Sequence, residues 1–383
     1  MITIKSLNVS ELQNRGGVKL ECLYRVNQEE KRVWLEVNEP YGQYLVTDRC
    51  DGFLIAVLQW AMRHGHDITC NVPVSDDLLF NLDNTLIDAL SRNSKNLYRS
   101  KIFAEPLCEK IVSEGAVGTG VSGGIDSFST IIKYSETKYK NHNLTHLMFN
   151  NVGSHFTPYE KQSDREMAHR LKMRSFCQSN GYPLVETNSN ISLEFPEDYE
   201  LAHTYMNVFV VLCLQKLYSR YYYSSAGCGF DGLTLINNDL RDSARYDMFL
   251  LPLVSTRTTQ IMTSLVNETR LEKTKLVADW KPAFDYLDVC DFHSVSCMHC
   301  SKCLRTLFAL EIYGKEDNFK NVFDIEDFHK HHDQYLTEFY AYYRAGKDFF
   351  GELYPPMKHK IRLKHKLGAL VFYAKKIKQK FLK

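Results

Sequence analysis

Residues 122–127 read Ser122-Gly123-Gly124-Ile125-Asp126-Ser127. The small apolar run Ala116-Val117-Gly118-Thr119-Gly120-Val121 before them reads as a buried strand, and Phe128-Ser129-Thr130-Ile131-Ile132-Lys133-Tyr134 after them as a helix. Paired glycines let the backbone turn tightly and aim several N–H groups at one point. The helix start adds unpaired donors and the positive end of its dipole, so the loop suits a phosphate. Ser122 and Ser127 bring hydroxyl donors, and Asp126 is suited to hold Mg2+ on a bound triphosphate. A glycine turn with a Ser or Asp helix cap would explain the same residues without a ligand, but six residues in a strand–loop–helix setting favour the phosphate reading. The loop is not the G-x-x-x-x-G-K-[ST] type, because no lysine follows the glycines.

A second group of residues with metal chemistry lies downstream. Cys290, Cys297, Cys300 and Cys303 form C-x6-C-x-x-C-x-x-C. Four thiolates close a tetrahedral zinc site, which would be structural and would tie the loop to the helix beginning near Leu304. The same spacing also opens iron–sulfur sites, a reading weakened by the lack of a following proline and by Cys290 as a ready fourth zinc ligand. Four free thiols is the third alternative. His293 and His299 lie within the segment and are candidate substitutes for a cysteine, or partners to the ligands.

The SGG-x-DS loop resembles the PP-loop of the ATP pyrophosphatase superfamily, whose fold is adenine nucleotide alpha hydrolase-like. With the cysteine segment added, the chain is similar to the 7-cyano-7-deazaguanine synthase family, although its first cysteine spacing is tighter and its PP-loop lies farther from the start. The resemblance implies binding of ATP through Ser122, Gly123, Gly124, Ile125, Asp126 and Ser127, with Mg2+ at Asp126 and zinc at the four cysteines. It further implies an ATP-dependent ligase: a carboxylate or carbonyl oxygen is adenylated, ammonia forms the C–N bond, and AMP and pyrophosphate leave. Positive charge should stabilise the phosphates as the α–β bond breaks. Arg270 and Lys273 are the catalytic candidates alongside Asp126 and Ser127, with Arg305 a further one; each is otherwise a surface ion-pair residue. Sulfur transfer to tRNA or a small molecule, amidation of a sugar acid, and a non-catalytic nucleotide-binding scaffold stay open. Cys228, in Gly227-Cys228-Gly229-Phe230-Asp231-Gly232, is the thiol a sulfur-transfer route would recruit, or else a buried structural thiol.

The elements that must position these groups read as α/β. From about residue 110, strands and helices alternate, as in a parallel sheet covered by helices. Strands are expected at 116–121, 144–149, 183–187 and 221–226, with helices at 165–180 and 203–220. Loops 122–127, 150–156 and 227–232 should gather at the carboxyl ends of the strands. Upstream, Val18–Val26 and Arg32–Val37 read as strands, and helices begin at Asp51 and at Ser75. The expected division is an N-terminal α+β domain at 1–105, a PP-loop ATP-binding domain at 106–310 and a helical C-terminal region with a basic tail at 311–383.

Bulk properties narrow the classes. The 383 residues are 44% hydrophobic and 24% charged with a net charge of +1, which gives no overall field for nucleic acid. The 11 cysteines, an odd number, in a chain opening on the polar Met1-Ile2-Thr3-Ile4-Lys5-Ser6 favour reduced thiols, a metal site and a cytoplasmic location. No glutaminase motif accompanies the loop, so ammonia comes free or from a separate donor. Beyond Glu352 every charged residue is basic, and Leu367–Ala374 is too short to span a bilayer. That tail reads as a helix packed on its own domain, or as a basic amphipathic helix lying on a membrane.

Overall fold

The computed structural model describes residues 1–13, 16–153, 162–225, 242–290, 296–347 and 349–381, from 373 onward as backbone alone. The loop expected at 227–232 with Cys228, residues 154–156 of the loop expected at 150–156, and His293 lie outside the described residues. The strands are β1 (Ile2–Glu11), β2 (Val18–Val26), β3 (Glu29–Val37), β4 (Ile68–Cys70), β5 (Val74–Ser75) and β6 (Ile102–Phe103). They continue with β7 (Pro106–Leu107), β8 (Ala116–Gly120), β9 (His146–Asn151), β10 (Leu184–Ser189), β11 (Tyr218–Ser224) and β12 (Gln260–Ser264). Ten of them form one sheet in the order β12-β11-β8-β9-β10-β3-β2-β1-β4-β6, and β5 pairs with β7 apart from it.

From β12 to β10 every pairing is parallel. β10–β3, β3–β2 and β2–β1 are antiparallel, and β1–β4 and β4–β6 are parallel again. The protein is therefore α/β with a large, mostly parallel sheet. Residue chemistry explains both patterns. The central strand β8, Ala-Val-Gly-Thr-Gly, is almost wholly buried and shows no alternation. In β2, by contrast, Leu20, Cys22 and Tyr24 are buried while the residues between them are partly exposed. Asn27, at φ 55, makes the two-residue turn that sets Val26 opposite Glu29.

Contacts divide the chain into two compact units, residues 1–121, 133–166 and 177–267 in one and 122–132, 167–176 and 268–383 in the other. The first holds the sheet. On it the Asp51–His64 helix crosses the Tyr199–Cys213 helix closely: a Cβ at Gly52 would lie 2.6 Å from Cys213 Sγ and 2.7 Å from the Phe209 carbonyl oxygen. Phe53 and Phe209 pack beside that crossing with ring centroids 5.1 Å apart. In the second unit Phe128, Phe176 and Trp280 form a ring cluster at 5.0, 5.3 and 5.8 Å. Its C-terminal helices share another, in which Phe308 and Phe339 lie 4.7 Å apart.

Three expectations change. Residues 1–105 do not stand apart from the rest of the chain, because β3 pairs with β10 through Leu35–Ser189, Glu36–Asn188 and Val37–Thr187, joining the N-terminal strands to the same sheet. Residues 311–383 likewise group with 268–310 rather than by themselves. The helix expected to reach Arg220 ends at Cys213, and Tyr218 already pairs with Ala116 in β11. The hydrogen bonds and buried tyrosines of the sheet outweigh the helical pattern of Leu214–Leu217 there.

Candidate functional site

In chain order β8 to β12 are five parallel strands, and in the sheet they stand as third, second, first, fourth, fifth. The order reverses at β8, so the segment leaving its carboxyl end follows the topological switch point, where ligands bind in open α/β sheets. That segment is 121–127. Gly123 takes φ 71, a conformation that favours glycine, and a Cβ there would also crowd Met173 Cε at 2.8 Å and Asp288 Cβ at 3.2 Å. The turn is tied by the Ser122 N–H donating to Ser127 Oγ at 3.1 Å and by the Asp288 N–H donating to the Gly123 carbonyl at 2.8 Å. His169 Nε2 donates to the Ser122 carbonyl at 2.8 Å. The Ile125–Ser135 helix begins at once, the Phe128 N–H donating to the Gly124 carbonyl at 2.9 Å.

Asp126 carries the electrostatics of the loop. Thr269 and Glu272 form a reciprocal capping box that opens the Arg270–Ala278 helix. Arg270 and Lys273, three apart, then share one face of it. Arg270 pairs with Asp126 Oδ2, and Lys273 Nζ lies 3.3 Å from Asp126 Oδ1. Lys273 is 1% exposed, the Asp126 side chain 21%. Burial pushes the Asp126 carboxyl up, but Arg270, then Lys273 and Arg305, outweigh it and hold the group below the usual carboxylate range. The guanidinium groups of Arg270 and Arg305 lie 5.6 and 4.7 Å from the ring of Phe349, which fixes the position of both. The arrangement is a cluster of three cations around one carboxylate beside the glycine turn. It can hold and neutralise an anion.

The four cysteines also meet. The sulfurs of Cys290, Cys297, Cys300 and Cys303 all lie within 4.8 Å of one another, so the cluster can hold a metal ion such as zinc. Met298 at φ 65 turns the chain between the first two C-x-x-C cysteines, and Cys300 caps the Ser301–Ile312 helix by accepting the Cys303 N–H at 3.3 Å. Cys300 is pulled down to about 5, first by the Cys303 thiol donating to it, while the same contact pushes Cys303 up. His299 is turned elsewhere. It stacks on Tyr335 with centroids 5.2 Å apart, and its Nδ1 meets Glu338 Oε2 at 3.0 Å.

Thus Ser122, Gly123, Gly124, Ile125, Asp126 and Ser127 form one turn, and Arg270, Lys273 and Arg305 gather on it. The cysteines form a second cluster. Sequence reasoning missed His169, Met173, Asp288 and Phe349. His169, Met173 and Phe176 occupy one helical face at i, i+4 and i+7, and all three are buried. A lone histidine on that stripe was the available signal. Asp288 and Phe349 carry none, since only the folded chain brings them near residue 123 or 270. Comparison with family models, with curated proteins and with solved structures found no match to this chain.

Proposed function

We propose that this chain is an ATP-dependent ligase of the PP-loop type, which adenylates a small-molecule carboxylate and forms a C–N bond with ammonia. The observation that carries the reading is the gathering of Arg270, Lys273 and Arg305 on Asp126 inside a glycine-only turn that follows the switch-point strand. A helix start and convergent cations beside a turn of backbone donors match what a polyphosphate requires.

In this reading the 122–127 turn holds the pyrophosphate part of ATP through backbone N–H groups and the Ser122 and Ser127 hydroxyls. Arg270, Lys273 and Arg305 would turn from Asp126 to the phosphates, and Asp126 would hold Mg2+, whose chemistry is to neutralise the leaving pyrophosphate. The acceptor carboxylate attacks the α-phosphorus and pyrophosphate departs. Ammonia, free or delivered by a separate donor, then attacks the acyl carbon; AMP departs, and the amide remains. The four-cysteine cluster, with zinc, has a structural part. A 7-cyano-7-deazaguanine synthase-like acceptor is the member of this class nearest to the combined loop and cysteine motifs.

Calorimetric titration of ATP with Mg2+ into the full chain tests the loop directly. Binding by the wild type and a loss of tenfold or more in Gly123→Ala, roughly what removal of a bound-phosphate cradle entails, is the expected result. No binding by the folded wild type would overturn the proposal. Metal analysis of protein purified without oxygen tests the cysteines: zinc without iron agrees with it, whereas iron with acid-labile sulfide would put sulfur transfer first.

A further inference from the structure

The Leu363–Phe381 helix has two apolar faces. Its inner face is packed: His365 and Ala369 are buried, His365 Nε2 meets Asp333 Oδ1 at 2.9 Å, and the ring of Phe372 lies 6.0 Å from Tyr342. The opposite face holds Leu363, Leu367, Leu370 and Val371, exposed by 70%, 56%, 68% and 56%. These positions follow i, i+4, i+7 and i+8, so they form one continuous stripe. In sequence the same spacing continues through Ala374, Ile377 and Phe381. Single exposed leucines are ordinary on a protein surface, but an ordered stripe of them is not.

Charge selects what covers the stripe. Residues 353–383 contain no Asp or Glu, while Lys or Arg occupies 358, 360, 362, 364, 366, 375, 376, 378, 380 and 383. Two of these are engaged within the unit, Lys360 with Glu311 at 2.6 Å and Lys364 with Asp333. Arg362 and Lys366 are exposed beside the stripe. Pairing this face with a second copy would bring two sets of cations together with no carboxylate of the helix to offset them. An anionic lipid surface satisfies both features at once, taking the leucines into the boundary of the acyl chains and the lysines among its headgroups. No described helix is long and apolar enough to cross a membrane, so this one would lie in the plane. We propose that the outer face of the Leu363–Phe381 helix docks the protein on an anionic membrane.

The test is co-sedimentation of the full chain with vesicles of phosphatidylcholine alone or with added phosphatidylserine, at low and high salt. The expected result is pelleting with phosphatidylserine only, diminishing as salt rises. A Leu367→Ser, Leu370→Ser variant should bind about tenfold more weakly or worse, because it removes apolar area from the inserted face. An Arg362→Glu, Lys366→Glu variant should show a similar drop of about tenfold or more while leaving the apolar stripe intact. Both change exposed positions, and unchanged melting temperatures establish that the fold survives. Absence of vesicle binding at low salt would overturn the proposal, as would equal binding by the wild type and both variants. A dimer in light scattering that the leucine substitutions dissolve, without vesicle binding, would assign the face to a second copy instead.

Discussion

An ammonium as enclosed as that of Lys273, at 1% exposure, is sustained only by a counter-ion. Asp126→Asn removes that counter-ion with little change of shape, and its side chain keeps some exposure, so the expected loss of stability is about 2–3 kcal/mol in urea melts. Adding Lys273→Met to that variant should recover part of the loss, because one of the buried cations that Asp126 balances goes with it. The pH dependence has a definite sign. The Asp126 carboxyl is held below its unfolded value, so its contribution is complete above about pH 4 and is lost as pH falls through the lower folded value. Melts taken below about pH 4 should therefore separate wild type from Asp126→Asn less than melts at neutral pH. Asp247 behaves in the opposite way. Burial pushes its carboxyl up to about 7, although Thr204 Oγ1 donates to it at 2.9 Å and His203 is near. The folded protein then keeps a proton that the unfolded chain gives up, so stability falls as pH rises from about 4 to about 7 and levels off above. Asp247→Asn should flatten that decline and raise the unfolding free energy at neutral pH, by an amount on the order of a few kcal/mol. A wild type with no slope over that interval would refute the assignment.

At the level of elements, two short turns carry the functional proposal, and each makes its own demand. Gly123→Ala meets both a left-handed φ of 71 and the side chain of Met173, so a loss of about 1–3 kcal/mol is expected, read by chemical denaturation. Met173→Ala in the same chain relieves the crowding but not the φ, so recovery should be partial. The cysteine turn depends on its ion if zinc is what closes it. Chelation should then lower the melting temperature and reduce helical circular dichroism at the start of Ser301–Ile312, and zinc should restore both. A melt indifferent to chelator would mean that the thiols need no metal. These turns were readable in the sequence because their residues are local: glycine pairs, C-x-x-C spacing and a strand-to-helix change of period lie within a few positions of one another. The cations on Asp126 were readable only as candidates. Their helix begins 144 positions from Asp126, measured at Arg270, and no periodicity reports which face a distant helix presents.

The sheet as a whole poses the same problem over longer distances. Each hairpin strand of residues 18–37 is evident from its alternation, yet the pairing that matters most, β3 with β10, joins Leu35 to Ser189. Asn38 extends that join, its side-chain oxygen accepting the Glu186 N–H at 2.8 Å while its own N–H donates to the Glu186 carbonyl at 3.2 Å. Nothing in either segment alone specifies the other; what specifies it is the edge that β10 would otherwise leave unpaired. β12 escaped notice for a related reason, since Gln-Ile-Met-Thr-Ser is short, mixed in polarity and defined mainly by its partner β11. The consequence is testable on the whole molecule. A chain beginning at residue 106 keeps both the glycine turn and the cysteines but loses β1 to β6, exposing the backbone groups of β10 that now meet β3. It also uncovers the Tyr199–Cys213 helix, against which Phe53 packs at 5.1 Å from Phe209. Such a chain should be insoluble or aggregate on concentration, and co-expression of residues 1–105 as a separate chain should restore soluble protein by supplying the missing edge. A soluble, cooperatively melting fragment from residue 106 would instead mean that the N-terminal strands are an appendage, with the core of the fold complete without them.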